Sequence, residues 1–218
     1  FLKFIWDLAK IIKNGQYDVI HVHSGKTSYV ALMVAKILGV KIRIAHAHTA
    51  PASVGLGANL KDAMSHLITP VVATHLLACS DEAASTIFGK TRMVALKNAI
   101  EVEKFRYKAH IRNNVRASLG ITSEIVVGTV GNLVPEKNHE YLLQIFKELR
   151  KIECAAKLII VGSGGMRDVL ERYANKLGIA DDTLFLGART DVERLLMAYD
   201  VFVMPSLYEG FAIAALEA

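Results

Sequence analysis

YDVIHVHSGKTSYVALMVAKILGVKIRIAHAH, residues 17–48, decides the fold. Its first part, YDVIHVH (17–23), is rich in Val and Ile and ends at Ser24-Gly25, which predicts a strand. A helix is predicted from about Thr27 to Leu38, closing on Gly39, and VKIRIAHAH (40–48) predicts the next strand. A strand, a helix and a second strand in this order usually form a parallel sheet covered by helices.

The same order of elements continues along the chain. Before and after the first unit, helices are predicted over 1–13, 60–74 and 81–87, and strands over 76–79 and 92–96. After a charged segment of little periodicity, strands are predicted over 125–130, 157–161, 183–186 and 201–204, with helices over 138–152, 166–177 and 192–198 and a last helix from near Gly210. The sequence therefore predicts an α/β protein with two Rossmann-like, doubly wound parallel-sheet domains, which bind ligands at the carboxyl ends of their strands.

The domain boundaries follow from the break in this pattern. We place the first domain at 1–106, a linker at 107–123 and the second domain at 124–218. Because the chain starts at Phe1 and stops inside a predicted helix, we expect both domains to be incomplete.

Composition and charge narrow the classes of protein. With 52% hydrophobic residues and four prolines among 218 residues, the chain is neither collagenous, disordered nor a disulfide-stapled miniprotein. The net charge of +5 is uneven: residues 1–109 hold 14 basic and 7 acidic side chains, whereas residues 110–218 hold 12 and 14. A basic first half suits an anionic partner such as a phospholipid surface, or is simply a solvated surface. Nucleic acid is not expected, since no basic run is interleaved with aromatic residues.

Cellular location is inferred from what the sequence lacks. No apolar stretch approaches the ~20 uncharged residues that a bilayer span needs. We therefore expect a cytoplasmic protein, with any membrane contact being peripheral, at the inner face of the plasma membrane and through the basic N-terminal half. Cys79 and Cys154 show no metal or redox spacing and are predicted to be reduced thiols packed in the core.

The end of the chain carries the most informative polar pattern. If the last helix starts near Gly210, the backbone N–H groups of Gly210, Phe211 and Ala212 form a seat for an anion. Glu209 and Glu217 would lie ~12 Å apart along the helix on nearly the same face. Two carboxylates beside a phosphate seat suit a nucleotide diphospho-sugar. The alternative is that both are solvated surface charges.

Two loops of the second half could also contact a phosphate. Lys137 ends the loop after the first strand of that half and could reach a diphosphate, or it is an ordinary solvated lysine. Gly162-Ser163-Gly164-Gly165 separates a strand from a helix. These glycines could allow a phosphate or base to approach closely, or merely form a tight turn.

Two H-x-H pairs, His21/His23 and His46/His48, end the two strands of the first unit. Each pair shares a sheet face and could in principle hold a metal. No Asp, Glu or Cys ligand stands out in residues 20–60, so we predict no metal, and we predict burial or packing roles for His21 and His46. No Ser-His-Asp or Cys-His spacing indicates nucleophilic hydrolysis.

DVFVMPSLYEGFAIAALEA (200–218) resembles the E-x7-E signature of retaining glycosyltransferases with the two-Rossmann GT-B fold, in particular the family-four, or group 1, enzymes. Further stretches resemble the same enzymes in the same order: DVIHVHSG (18–25), RIAHAHTA (43–50), LACSDEAA (77–84), LKNAIEVEKF (96–105), VGNLVPEKNHEYLL (130–143), IIVGSGGMRDVLE (159–171) and FLGARTDV (185–192). Within the group, the chain is most similar to enzymes of bacterial exopolysaccharide and surface-glycan assembly.

The resemblance implies an enzyme that transfers a sugar from a nucleotide diphospho-sugar, a UDP-sugar, to a glycan or lipid-linked acceptor. It implies retention of the anomeric configuration and no metal or other cofactor. Glu209 would hold the donor sugar, Glu217 the ribose, and His48 the transferred sugar. Lys137 would neutralise the leaving diphosphate. Asn132 stands where the family usually has an arginine, so the motif keeps one cation instead of two.

By the same resemblance, the loops at Gly162 and at Arg189 border the nucleotide pocket, and His23, Ser24 and Gly25 lie on the acceptor side. Two alternatives stay open. One is a phosphorylase or epimerase of the same fold, and the other is a non-catalytic or inactive nucleotide-sugar-binding fragment.

Overall fold

A computed structural model describes residues 2–48 and 56–218, without the side chains of 56–59 and 61. The chain divides into two compact units. The first comprises Phe1–Asn98 with Tyr208–Phe211, and the second comprises Ala99–Leu207 with Ala212–Ala218. Each unit contains a four-stranded parallel sheet, so the predicted α/β class is confirmed.

The first unit has the strand order β1-β2-β3-β4. Its elements in the described residues are helix α1 (Leu2–Gly15), strand β1 (Val19–Val22), helix α2 (Ser28–Ile37), strand β2 (Ile42–Ala47), helix α3 (Leu56–Val72), strand β3 (His75–Ala78), helix α4 (Asp81–Phe88) and strand β4 (Val94–Ala95). A 3-10 turn, Gly25–Thr27, joins β1 to α2. Helix α4 begins after Ser80, whose side-chain oxygen accepts a hydrogen bond from the backbone N–H of Ala83.

The core of the first unit lies on one face of its sheet. Val22, Ala45 and Ala47 are buried there together with Leu32 of α2 and Phe88 of α4. Because side chains alternate between the two faces of a strand, residues 21, 44 and 46 are directed to the opposite face. Two of these three residues are the histidines His21 and His46.

The second unit has the strand order β7-β6-β5-β8. Its elements are α5 (Val102–Phe105), α6 (Ala109–Ser118), β5 (Val126–Val130), α7 (His139–Ile152), β6 (Lys157–Val161), α8 (Arg167–Leu177), β7 (Thr183–Gly187), α9 (Val192–Leu196), β8 (Val201–Phe202) and α10 (Ile213–Glu217). Short 3-10 turns cover Pro135–Lys137 and Ala180–Asp182.

Both faces of the second sheet are covered. Leu158 and Ile160 of β6 are buried in a cluster with Phe146 of α7, whereas Ile159 and Val161 are buried in another cluster with helices α6 and α9. Alternation along one apolar strand therefore supplies two cores, as the doubly wound prediction requires.

The short strand β8 is fixed by the two residues before it. The ring of Tyr199 lies against Gly128 of β5, where an added Cβ atom would come within 2.1 Å of it. Asp200 accepts hydrogen bonds from the backbone N–H of Val126 (2.8 Å) and from the guanidinium of Arg116 (3.2 Å). Arg112 of α6 also donates to Asp200, at 2.5 Å.

The segment 107–123, which we predicted to be a linker between the domains, is instead part of the second unit. Helix α6 occupies most of it, and Val115 is buried against the second sheet. Arg116 is only 7% exposed because it pairs with Asp200. This segment, with residues 99–106, belongs to the second unit.

Two further predictions need correction. The last helix begins at Ile213 and not near Gly210, because residues up to Phe211 are held by contacts of the first unit. Cys79 is buried as predicted, whereas Cys154 is exposed in the turn between α7 and β6.

Candidate functional site

The loops at the carboxyl ends of β5, β6 and β7 are tied together through their backbones. The N–H of Gly131 donates to the carbonyl of Val161 (2.9 Å), and the N–H of Gly162 donates to the carbonyl of Gly187 (2.8 Å). The N–H of Leu133 donates to Ser163 in the same way, at 2.9 Å. This edge of the second sheet is therefore a continuous, hydrogen-bonded set of loops, at the place where open parallel sheets bind ligands.

Glycine at position 162 is required by this packing. Its φ of +146° is unfavourable for other residues, and a Cβ atom would lie 1.8 Å from the carbonyl oxygen of Gly131. Gly164 is similarly restricted, since a Cβ atom there would lie 2.3 Å from the carbonyl oxygen of Leu133. Gly165 has nothing within 4 Å of its Cβ position. The close contacts at Gly162 and Gly164 thus support the tight-turn interpretation of the glycine loop.

Lys137 lies over the first of these loops. Its Cδ and Cε atoms are 3.8 Å from the Cβ position of Gly131, and the residue is half-buried. Asn132, in the same loop, is exposed. Burial, and then the positive charge of Lys137, lower the pKa of His139 to about 4. His139 is therefore neutral at pH 7, and the positive charge of this loop is that of Lys137.

Arg189 follows β7 and is engaged by an acidic neighbour. Its guanidinium donates two hydrogen bonds to the carboxylate of Asp191, both 2.8 Å long. These bonds, ahead of any other cause, lower the pKa of Asp191. Arg189 is thus at the expected edge of the sheet, and a ligand there would have to compete with Asp191 for its charge.

Arg167 is a cation at the same edge that the sequence analysis missed. Its Nη1 atom is 3.3 Å from the Cβ position of Gly187, and its Nη2 atom donates to the carbonyl of Phe185 (3.2 Å). Its Nε atom donates to Glu171 at 2.8 Å. The available signal was a basic residue opening the helix right after the glycine loop.

The segment before the last helix does not form the predicted anion seat. Phe211 packs against the core of the first unit, and its carbonyl accepts a hydrogen bond from the Asn98 side chain (3.3 Å). Ala212 is extended, and α10 covers only the five residues after it. The N–H groups of Gly210, Phe211 and Ala212 therefore precede the helix, and the helical seat that we predicted at these residues is wrong.

The two glutamates of the signature are both half-buried. Glu209 groups with the first unit, whereas Glu217 is the last residue of α10 in the second. Because 209–212 is not helical, the ~12 Å helical separation does not apply to them.

The four histidines of the H-x-H pairs lie side by side at the carboxyl ends of β1 and β2. The ring centroids of His21 and His23 are 4.1 Å apart, those of His46 and His48 are 4.0 Å apart, and His21 stacks on His46 at 5.3 Å. A hydrogen bond of 2.7 Å joins Nδ1 of His23 to Nε2 of His48. The strand register explains the arrangement: Val22 pairs with Ala45, so the next residues are His23 and His46.

Burial differs among these histidines. His46 is 6% exposed, as predicted, whereas His21 is exposed and fulfils the other predicted role, packing, by stacking on His46. Burial, and then the charges of neighbouring imidazoles, lower the pKa of His46 to about 4, against the opposing effect of the Leu96 backbone. Burial is also the main cause that lowers the pKa of His48, and a hydrogen bond with the Asn98 side chain opposes it.

Ser24 and Gly25 begin the turn that follows these histidines. The carbonyl of Ser24 accepts a hydrogen bond from the Thr27 hydroxyl (3.1 Å), and that of Gly25 accepts one from the Ser28 hydroxyl (2.7 Å). Gly25 has φ +60°, which suits glycine. The structure thus brings His23 and His48 together next to this turn.

Comparisons with known proteins agree with the fold. Residues 111–218 match the family described as Glycosyl transferases group 1. The chain is 31% identical over 229 residues to the protein of Bacillus subtilis (strain 168) named as glycosyltransferase EpsF. It is 28% identical over 228 residues to the UDP-Gal:alpha-D-GlcNAc-diphosphoundecaprenol alpha-1,3-galactosyltransferase of Escherichia coli. Both alignments cover 100% of this chain and 59% of the relative, so the chain spans about three fifths of their length.

Solved glycosyltransferase structures share the fold. The structure of Anabaena Alr3699/HepE in complex with UDP-glucose superimposes with a TM-score of 0.83 at 19% identity, covering 98% of this chain and 60% of that one. WaaG, a glycosyltransferase involved in lipopolysaccharide biosynthesis, gives 0.64 at 19% identity, over 84% of this chain and 58% of that one. Among the described residues, no helix is both long and apolar enough to span a membrane.

Proposed function

Because residues 111–218 belong to the family of group 1 glycosyl transferases, we propose that the chain acts in sugar transfer from a nucleotide diphospho-sugar. The proposed donor is a UDP-sugar, and the proposed acceptor is a glycan or a lipid-linked glycan. The anomeric configuration is proposed to be retained, which rests on the resemblance of the segment containing Glu209 and Glu217 to the retaining signature.

The observation that carries this proposal is the edge of the second sheet, where Lys137 lies over the loop that follows β5 and that loop is hydrogen-bonded to the one that follows β6. Sugar transfer needs stabilisation of the charge that develops on the leaving diphosphate, and fixed cations in a shaped site supply it. Lys137 provides one cation, and Arg167 near Gly187 is a second candidate where Asn132 replaces the usual arginine. The N–H groups of Gly210, Phe211 and Ala212, which precede α10, are not assigned this role.

The donor and acceptor classes are supported by the similar proteins. The Anabaena structure holds UDP-glucose, and the name of the Escherichia coli relative gives UDP-Gal as donor and a diphosphoundecaprenol-linked sugar as acceptor. For this chain, Glu209 is proposed to hold the donor sugar, Glu217 the ribose and His48 the transferred sugar, with Ser24, Gly25 and His23 on the acceptor side. Peripheral membrane contact through the basic first half would suit a lipid-linked acceptor.

Binding of the leaving group is the first test. We expect Lys137→Ala to weaken UDP binding about 10- to 100-fold in isothermal titration calorimetry, since a charged hydrogen bond contributes about 1.5 to 3 kcal/mol. Lys176→Ala is the matched control, because Lys176 is an exposed lysine in the last turn of α8. Equal UDP affinity in the two variants would remove Lys137 from the site.

Transfer itself is the second test. Labelled UDP-glucose or UDP-galactose is supplied with a polyprenyl-diphosphate-linked or soluble glycan acceptor, and both free UDP and label on the acceptor are measured. A transferase gives both products in equal amounts, whereas an epimerase leaves the acceptor unlabelled. We expect Glu209→Gln to lower turnover without changing the circular dichroism spectrum, and full activity in this variant would refute its role.

A further inference from the structure

A group of three imidazoles in the first unit has the composition of a metal site. One nitrogen from each of His21, His23 and His46 lies within 4.8 Å of the other two. The three residues come from the ends of two adjacent parallel strands, whose backbones are fixed by the sheet. Ligand atoms a few ångströms apart on rigid elements need only small side-chain rotations to converge on one ion.

His46 provides an independent indication of a ligand. It is 6% exposed, and although the Leu96 backbone interacts with the ring, neither ring nitrogen has a hydrogen-bond partner of normal geometry among the described residues. A buried polar group without such a partner costs roughly 1 to 3 kcal/mol. Coordination of one ring nitrogen by a metal ion would remove much of this cost.

The surroundings also suit metal binding. The rings of His21, His23 and His46 are mutual neighbours, with centroids 4.1 Å apart for His21 and His23, 5.3 Å for His21 and His46, and 5.2 Å for His23 and His46. A ligating histidine usually has its second nitrogen hydrogen-bonded. His23 meets this condition, since its Nδ1 atom is 2.7 Å from His48, which itself interacts with the Asn98 side chain.

We propose that His21, His23 and His46 bind a divalent transition-metal ion, with Zn²⁺ as the best match. Three imidazoles are a ligand set that zinc accepts, and the fourth position is left to water or another ligand. His21 and His23 are exposed, which gives the ion access from solvent. The site revises our expectation of no metal, because a third ligand comes from the neighbouring strand and not from an Asp, Glu or Cys nearby in sequence.

This inference does not rest on the proposed function. The ion would join the carboxyl ends of β1 and β2 in the first unit, whereas the diphosphate-binding role is assigned to Lys137 of the second. Of its ligands, His23 is also the residue proposed for the acceptor side. It is tested by metal binding alone, so its failure leaves the transfer proposal unchanged.

The experiment measures Zn²⁺ binding to the full chain without a histidine tag. All proteins carry Cys154→Ser, since Cys154 is an exposed thiol that could bind zinc itself. Isothermal titration calorimetry should show one equivalent of Zn²⁺ per chain. His21→Gln should weaken it at least about 10- to 100-fold, the loss that even an outer-shell change produces. His110→Gln, at an exposed histidine of α6, should bind as the parent does.

A second variant, His46→Gln, should also lose the site, with circular dichroism verifying its fold. If His46→Gln does not fold, the test rests on His21→Gln, because a substitution at the exposed His21 should leave the fold intact. The proposal is overturned if the parent shows no saturable one-to-one binding, or if His21→Gln binds Zn²⁺ as tightly as His110→Gln.

Discussion

Gly162→Ala is the sharpest test of how the second sheet holds its loops. The substitution adds one methyl group at a residue with φ +146°, facing a carbonyl oxygen 1.8 Å away in the preceding loop. The unfavourable backbone conformation costs about 1 to 3 kcal/mol, and forcing an atom into a packed region costs a further ~1 to 3 kcal/mol. We therefore expect a loss of about 2 to 6 kcal/mol in the free energy of unfolding.

Urea denaturation followed by circular dichroism measures this loss. For a urea slope of about 1 to 3 kcal/mol per molar, a 3 kcal/mol loss lowers the midpoint by about 1 to 3 M. Gly165→Ala is the matched control three residues later. It adds the same methyl group with nothing within 4 Å, and we expect a change of less than about 0.5 kcal/mol.

The comparison separates two explanations of the glycine loop. If Gly162 serves only the close approach of a ligand, Gly162→Ala weakens UDP binding while its stability stays equal to that of Gly165→Ala. That result would refute the packing argument. If the packing argument is right, the stability falls whether or not UDP is present.

Three further results are expected. Asp200→Asn should lower the unfolding free energy by about 2 to 3 kcal/mol, because the almost fully buried Arg116 loses its carboxylate partner; an unchanged urea midpoint would contradict this. His139 has an ordinary pKa of 6.5 and a folded-state pKa of about 4, so protonation favours the unfolded state and stability should fall by about 3 kcal/mol between pH 6.5 and 4. His139→Leu should lose that part of the pH dependence in denaturation series, and an identical pH profile would show that His139 is not responsible. Ser80→Ala should cost about 1 kcal/mol in thermal unfolding, since α4 loses its cap, whereas Ser85→Ala, inside the same helix, should cost less.

Elements with a strong apolar period could be predicted from the sequence. The strand predicted over 157–161 is β6 without any change of bounds, because four apolar residues in a row follow Lys157 and precede a glycine turn. Helix α7 was likewise predicted to within one residue.

Elements that are held in place by polar contacts with distant residues could not be predicted from the sequence. Helix α6, AHIRNNVRAS, has few apolar residues, and its sequence therefore indicates a linker. Its position depends on Arg112 and Arg116, whose partner Asp200 lies more than eighty residues away. The residues around α6 contain no pattern that indicates a salt bridge to such a distant residue.

In the candidate site too, some features could be predicted from the sequence and others depend on distant contacts. Lys137, Gly162 and Arg189 could be placed at one edge because the carboxyl ends of parallel strands share it. The start of α10 could not be predicted, because Phe211 packs in the core of the first unit and Ala212 after it is extended, so the helix begins only at Ile213. The meeting of His21 with His46 depends on the register between two strands, which sequence alone does not define.

The contacts that hold β8 determine which substitutions the following segment can accept. Two residues of backbone pairing are little on their own, yet the aromatic ring over Gly128 and the carboxylate of Asp200 anchor the strand from its start. The position at which the chain leaves the sheet after Phe202 is therefore set by these contacts and not by the sequence that follows. Polar residues of the segment after β8 can therefore be exchanged without changing how β8 pairs with β5.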